Sequence, residues 1–399
     1  MEFTIKQNVL KEELGYIQGV VERKSTIPVL SNILIESLGE GSIRIVGTDL
    51  DVTIRCDAEA EIKTPGSICI QARKLFDIVR TLDGGDVHFK KDENDWVRMK
   101  AGRANFRLAG VSREQYPEIP MFKSAPITLS AEVLNYFIQS TAFAITSEQS
   151  RFTLSGAKFM LANGTARMVT TDGHRLAFIE KEVGDTGDAA MDALIPKKAL
   201  LELVKISRDS GGDIQFGEDQ NHIYFETEGR LLITRKLTGN FPNYEMVMPK
   251  DNDKTVVFDL AEMRSAVRRV ALMADERNRS IRVTVREGEV EITAQSSEEG
   301  EGAEVVPAEY SGEEVTLGFN HQYLQEFLNN VGALEAGSAD TDEAEPASDG
   351  SSAAAAPARD TKGATRVTFE FKDSNAATQM RVAGDSAYDY KYIVMPLRI

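Results

Sequence analysis

Cysteine is nearly missing from this 399-residue chain: Cys56 and Cys69 stand alone, at no spacing that would hold a metal. Two isolated thiols exclude a disulfide-stapled fold and point to free cysteines in a reducing compartment. Histidine is also scarce, and His88, His174, His222 and His321 form no pair at metal-ligand spacing. No apolar run approaches the roughly 20 residues that span a bilayer. The start, Met1-Glu2-Phe3-Thr4-Ile5-Lys6, lacks a basic segment followed by an apolar one, so a cytoplasmic protein is expected rather than a secreted one. Positive charge is the other shortage. Lys and Arg total 46 against 63 Asp and Glu, a formal net charge of −17. Over the whole surface that balance disfavours nucleic acid, but binding depends on where the charges sit.

Signatures of catalysis are missing too. There is no Gly-x4-Gly-Lys-Ser/Thr loop, no Gly-x-Gly-x-x-Gly after a strand and no His-Glu-x-x-His. Asp49 and Asp51 would share a face of a strand, yet no third ligand accompanies them, and a turn-forming Asp is the commoner use. No metal or cofactor is expected.

What the chain does contain is a repeated order of elements. Leu10, Leu14, Ile17 and Val21 mark one helical stripe over 9–21, and Leu75, Phe76, Ile78, Val79 and Leu82 mark another over 73–82. Alternating strands lie between and after them, closing at Tyr116-Pro117. The order recurs with helices over 132–142 and from Lys197, and again with stripes at Met263, Ala266, Val267, Val270 and at Tyr323, Leu324, Phe327, Leu328, Val331. Gly84-Gly85-Asp86 and Gly211-Gly212-Asp213 stop corresponding helices. The first two copies are offset by ~125 residues, the size of one domain. Three α+β domains follow, 1–124, 125–250 and 251–399. The third holds 337–362, an Ala/Ser/Asp/Glu stretch expected to be a disordered acidic insertion.

Charge is unevenly placed. The second helix of the first copy carries Arg73, Lys74 and Arg80; that of the second carries Lys197, Lys198, Lys205 and Arg208. Arg264, Arg268 and Arg269 sit on the first helix of the third copy. Basic helix faces on an acidic protein suit contact with backbone phosphates, with ordinary solvated faces as the plainer alternative. Nothing accompanies them that would read a base sequence.

One stretch concentrates reactive side chains: Thr171-Asp172-Gly173-His174-Arg175-Leu176, between two alternating runs. Asp-Gly there predicts a tight hairpin. Thr48-Asp49 holds the same place in the first copy, so the Asp reads as turn chemistry, and no nucleophile or orienting partner for His174 can be named. A hydrolase built on His174, Asp172 and Arg175 and a peptide-binding hub with no DNA role remain the rival readings.

The hairpin motif, the terminal Tyr392-Ile393-Val394-Met395-Pro396-Leu397-Arg398-Ile399, and Thr26-Ile27-Pro28-Val29-Leu30, Gly47-Thr48-Asp49-Leu50, Ala72-Arg73-Lys74, Phe241-Pro242-Asn243-Tyr244 and Gly318-Phe319-Asn320 together resemble the bacterial DNA polymerase III beta subunits, the replicative sliding clamps. The resemblance runs the length of the chain apart from the acidic stretch. It implies the DNA clamp fold of three repeated domains, in a head-to-tail homodimer closed as a pseudo-sixfold ring with helices inside and sheets outside. It also implies a non-catalytic processivity factor for DNA replication that slides on duplex DNA. The positions it assigns to DNA are Lys24, Arg73, Arg80, Gln149, Lys197 and Lys198, with Arg151 and Phe152 at the single-strand position. Lys24 replaces an arginine of some members, keeping charge without the bidentate fork. Short peptides of the polymerase, the clamp loader and other partners would dock between the second and third domains. The residues implied are Leu154, Thr171, Gly173, His174, Arg175, Leu176, Pro242, Val247, Asn320, Tyr323, Val394, Met395, Pro396, Leu397 and Arg398. Met246 and Asn278 stand where some members have Arg and Phe, and Ala377 and Gln379 also differ, which leaves the peptide preference open.

Overall fold

The computed structural model describes residues 1–21, 26–39, 41–121, 127–148, 150–184, 186, 190–208, 212–297, 300–339, 365–384 and 387–398. Among them are six helices: α1 (Gln7–Ile17), α2 (Ala72–Val79), α3 (Ala131–Thr141), α4 (Lys197–Ser207), α5 (Leu260–Val270) and α6 (His321–Ala339). All other long elements are strands, so the fold is α+β. The centre of each helical stripe is buried, while Phe76, Ile78, Leu82 and Tyr323 are only partly so. Leu10, Leu14 and Ile17 on α1, Leu75 and Val79 on α2, and Leu324, Phe327, Leu328 and Val331 on α6 are all nearly inaccessible. Each such side chain contributes about 1.5–3 kcal/mol by leaving water.

Three helix ends differ from expectation, α2 closing at Val79 rather than Leu82. Helix α1 stops at Ile17 rather than near Val21. Gly19 lies against the Glu202 carboxylate, where a Cβ would come within 2.0 Å, so only glycine fits at this position. Helix α6 runs to Ala339, so the first three residues of the expected acidic loop are helical. The Ala-rich 333–339 stretch supports that extension, because alanine loses little entropy in a helix. The rest of that stretch, 340–362, lies outside the described residues.

The chain falls into two compact units. The first, Met1–Ile138 with Asp185–Thr238, has a five-stranded sheet ending at Ala104–Leu108 and a nine-stranded sheet. In the nine-stranded sheet Val52–Glu59 of the first copy pairs antiparallel with Arg230–Arg235 of the second, from Arg230↔Cys56 to Thr234↔Val52. Glu13 of α1 and Arg230 meet there as a buried pair at 2.7 Å, with Glu12 and the Tyr16 ring on the same guanidinium.

The second unit, Gln139–Gly184 with Gly239–Ile399, is built the same way. Arg175–Glu182 of the second copy pairs with Asp389–Val394 of the third, from Arg175↔Val394 to Glu180↔Asp389. In both units, then, the strand that follows a Thr-Asp turn pairs with the last strand of the next copy. Gly300–Glu309 is the corresponding strand of the third copy, and only Ala308 and Glu309 pair with Lys254–Asp259.

Cys56 and Cys69 are buried and unpaired. Burial raises both thiol pKa values, that of Cys69 to about 11. The native protein is expected to resist alkylation near pH 8 and to label at both cysteines once unfolded in urea; rapid labelling of the native chain would contradict this packing. Stability linked to Cys69 is complete below the unfolded thiol pKa of about 8.5 and is lost as pH rises towards about 11.

Candidate functional site

The Thr171–Arg175 turn is three residues long rather than the two that Asp-Gly alone suggests, since Thr171 pairs with Leu176 and the second strand begins at Arg175. Asp172 Oδ1 accepts from the amides of His174 (2.9 Å) and Arg175 (3.1 Å), an Asx turn. The Gly173 amide donates to Thr171 Oγ1 (3.0 Å), which itself donates to the Arg175 carbonyl (2.6 Å). In the first copy the same bonds are made by Asp49 to Asp51 and Val52 (2.9 and 2.6 Å), and by Leu50 to Thr48 (3.0 Å). Turn chemistry is therefore the shared device, as the repeat implied.

The two turns differ at the third residue. Gly173 has φ +90°, while Leu50 carries a side chain at φ +80°, a region that disfavours one. They also differ in where the free Asp oxygen goes. Asp49 Oδ2 meets Lys198 Nζ at 2.5 Å, whereas Asp172 Oδ2 meets Arg175 Nε at 3.1 Å. Both Asp172 oxygens are thus engaged within the turn.

Around this turn the second unit brings the docking residues together. The Met395 amide donates to the His174 carbonyl (3.0 Å), which lays the terminal segment along the turn, and the Leu397 amide donates to Gly318 (2.8 Å). The His174 and Tyr323 rings stack at 6.5 Å between centroids. Leu176 joins Val169, Phe178, Tyr244 and Ile393 in one buried cluster, with Phe241 and Met248 packed on its edge. Tyr244 anchors the 241–248 segment there, its hydroxyl accepting from Arg167 (2.8 Å), and so holds Pro242 and Val247 beside the cluster. Met246, Val247 and Met395 remain 81%, 48% and 45% exposed. Apolar side chains left in water beside a built turn and an aromatic pair form the surface of a docking site. Leu154, Thr171 and Val394 are buried beneath, and Asn320 caps the start of α6 by accepting from Gln322 (3.0 Å).

Arg175, expected to line the cleft, is instead turned into the fold. Its guanidinium donates to the Phe143 carbonyl (2.9 Å), Glu326 and the Tyr392 hydroxyl (3.4 Å), and lies 4.6 Å from the Tyr323 ring centre. Burial opposes its charge, but the Tyr392 hydroxyl and the Glu326 carboxylate outweigh it, so its pKa lies above the ordinary arginine value. The Arg175 guanidinium thus lies between the Tyr323 ring and the Tyr392 hydroxyl. Burial likewise pushes the Tyr392 and Tyr323 hydroxyls up.

The expected DNA residues are scattered in role. Lys24 and Gln149 lie outside the described residues. Arg73 and Arg80 are more than half exposed on either side of Asp77, at 3.8 and 3.2 Å. Lys198 is tied to Asp49 and to the Val20 carbonyl (3.0 Å), so it braces the first turn in this conformation. Lys197 opens α4 beside it. Phe152 is 54% exposed, while Arg151 donates to the Asp172 carbonyl (2.7 Å). A hollow of about 730 Å³ between α1, α2 and α4 is lined by Lys11, Lys205 and Arg208 among others. Lys11 escaped notice in the sequence because one lysine on α1 makes no basic run.

Family models confirm what the duplicated turns and joined sheets indicate. Models of the DNA polymerase III beta subunit match in series, the N-terminal domain at residues 1–120, the central domain at 128–243 and the C-terminal domain at 245–341. The chain belongs to the DNA polymerase III beta subunit family. It is 32% identical to the beta sliding clamp of Pseudomonas putida over 403 residues, and 33% identical to that of Caulobacter vibrioides over 407, each match covering the whole of both chains. Its fold superposes on the DNA polymerase III subunit beta of Pseudomonas aeruginosa with a TM-score of 0.87, at 30% identity and full coverage of both chains. The DNA polymerase sliding clamp of Bacillus subtilis gives 0.87 at 25% identity, covering all of this chain and 99% of the other. Within this family frame Met246 is a fully presented apolar side chain, and the Asn278 side chain is held in its own turn by Ser280.

Proposed function

We propose that the chain is a sliding clamp whose two copies close head to tail into a pseudo-sixfold ring around duplex DNA, helices inside and sheets outside. Its three clamp domains are 1–124, 125–250 and 251–399. It tethers the replicative polymerase, the clamp loader and other DNA-processing proteins through the Gly173–Leu176 cleft. It needs no cofactor and catalyses no step; DNA is held by cations that touch the backbone without reading bases, in the cytoplasm.

The observation that carries this reading is a pair of open strand edges. Arg230–Arg235 joins Val52–Glu59, and Asp389–Val394 joins Arg175–Glu182. Among the described residues, Ala104–Leu108 at the edge of its sheet and residues 300–307 on one side of theirs have no strand partner, which leaves a third such pair to be made. Pairing these edges between two chains gives a heterologous contact that closes after two copies, and removes an edge that would otherwise invite aggregation. Leu272 (74% exposed) and Val305 (50% exposed) support the same surface.

The test is retention on DNA after loading. The protein is expected to stay on nicked circular duplex and to run off linear duplex with free ends, and its loading should fall steeply with salt. Equal retention on both substrates would rule out topological trapping.

A further inference from the structure

Beyond the cleft, on the sheet face of the second unit, lies a hollow of about 1040 Å³. The pairing places one cross-strand row beneath it: Leu397 opposite Gly318, Gly318 opposite Arg282, Arg282 opposite Thr293, and Thr293 opposite Ala303. Gly318 contributes no side chain, so the row dips between Leu397 and Arg282. The terminal segment that edges the docking cleft forms one wall of the hollow, through Leu397 and Arg398. The two surfaces are therefore continuous.

Charge identifies the occupant. On the same strand Arg286, four residues along, is matched by Glu289, Glu291 and Glu314, and Arg366 meets Glu309. Arg282 and Arg398 are both exposed, both line the hollow, and neither has an ion-pair partner among the described residues. Glu301 stands at the far end of the hollow, on the row of Gln295 rather than that of Arg282. Two unmatched guanidiniums beside an uncharged floor of Gly318, Thr293 and Ala303 present the planar fork that takes a carboxylate.

We propose that this hollow extends the docking cleft and receives an Asp or Glu side chain of the extended partner peptide, held by Arg282 and Arg398. The proposal rests on the docking reading above and adds the chemistry of the residue that flanks the apolar anchors. It explains how a cleft with exposed Met246 and polar Asn278 could still discriminate among apolar peptides. An acidic partner residue would otherwise be repelled by a protein of net charge −17.

The test selects a random library of short displayed peptides against the full-length protein, then repeats the selection with Arg282→Gln and Arg398→Gln. The parent should enrich apolar anchors with an acidic residue at a fixed offset. For an enriched peptide, its Asp→Asn or Glu→Gln form should bind about tenfold more weakly to the parent. Arg282→Gln should erase that difference while keeping the affinity of the amide peptide and an unchanged thermal transition. Apolar anchors enriched without an acidic preference, or a preference that survives both substitutions, would overturn the extension and leave the cleft standing. Enrichment of no apolar anchor would overturn both.

Discussion

Leu272→Asp is expected to leave the protein as single chains of 44.0 kDa in sedimentation, where the parent sediments at twice that mass. Leu272 ends α5's continuation at 74% exposure, in the short turn Ala271–Met273 that packs on strand Gly300–Glu309. Met273 fills the space over Gly302, where a Cβ would come within 2.9 Å, so the turn is held firmly against that strand. An aspartate placed in a contact that closes around it loses its water without gaining a partner, a cost of several kcal/mol. The dimer dissociation constant should rise by at least about a hundredfold, and retention on circular DNA should disappear. Peptide docking is expected to persist, because Gly173–Leu176, Tyr323 and Met395 belong to one chain. A variant that remains dimeric at micromolar concentration would move the ring contact elsewhere.

The second large effect concerns Arg175. Its side chain is 7% exposed and satisfies Asp172, Glu326, the Phe143 carbonyl and Tyr392 together. Arg175→Ala should destabilise the second unit by about 1–3 kcal/mol, because the Phe143 carbonyl and the partly buried Asp172 carboxylate then lose their donor. Thermal or urea unfolding measures it, and a loss below about 1 kcal/mol would contradict the role assigned here. Glu326 is 45% exposed, so Glu326→Gln should cost less than about 1 kcal/mol. Arg175→Lys keeps the charge but loses the fork that reaches several acceptors at once, and should fall between the two. At temperatures where Arg175→Ala is still folded, peptide binding should remain weak, since the Tyr323 ring has lost the cation it lies against.

Much of this was legible along the chain. Helical stripes such as Leu10, Leu14 and Ile17 or Met263, Ala266, Val267 and Val270 are buried because periodicity fixes which face of a helix can leave water. The Asp shared by Thr48-Asp49 and Thr171-Asp172 was readable as turn chemistry, because an Asx turn closes on the residue's own neighbours. Roles that depend on distant partners were not readable. The Arg175 guanidinium reaches the Tyr392 hydroxyl, 217 positions away. Lys198 meets Asp49, 149 positions away, at 2.5 Å.

What the sequence alone determined is therefore local and repetitive: three copies of an α+β unit, two uncommon turns and a terminal motif. The tertiary structure decided which copies share a sheet, which strand edges stay open and which arginines stay unmatched. The physical reason is reach. Helix stripes and Asx turns are set by side chains within a few positions of each other, whereas strand pairing and ion pairing are set by whatever the fold carries alongside. The same Asp-led turn thus meets a lysine where Lys198 faces it, and an aromatic ring and the terminal segment where Tyr323 and Met395 do.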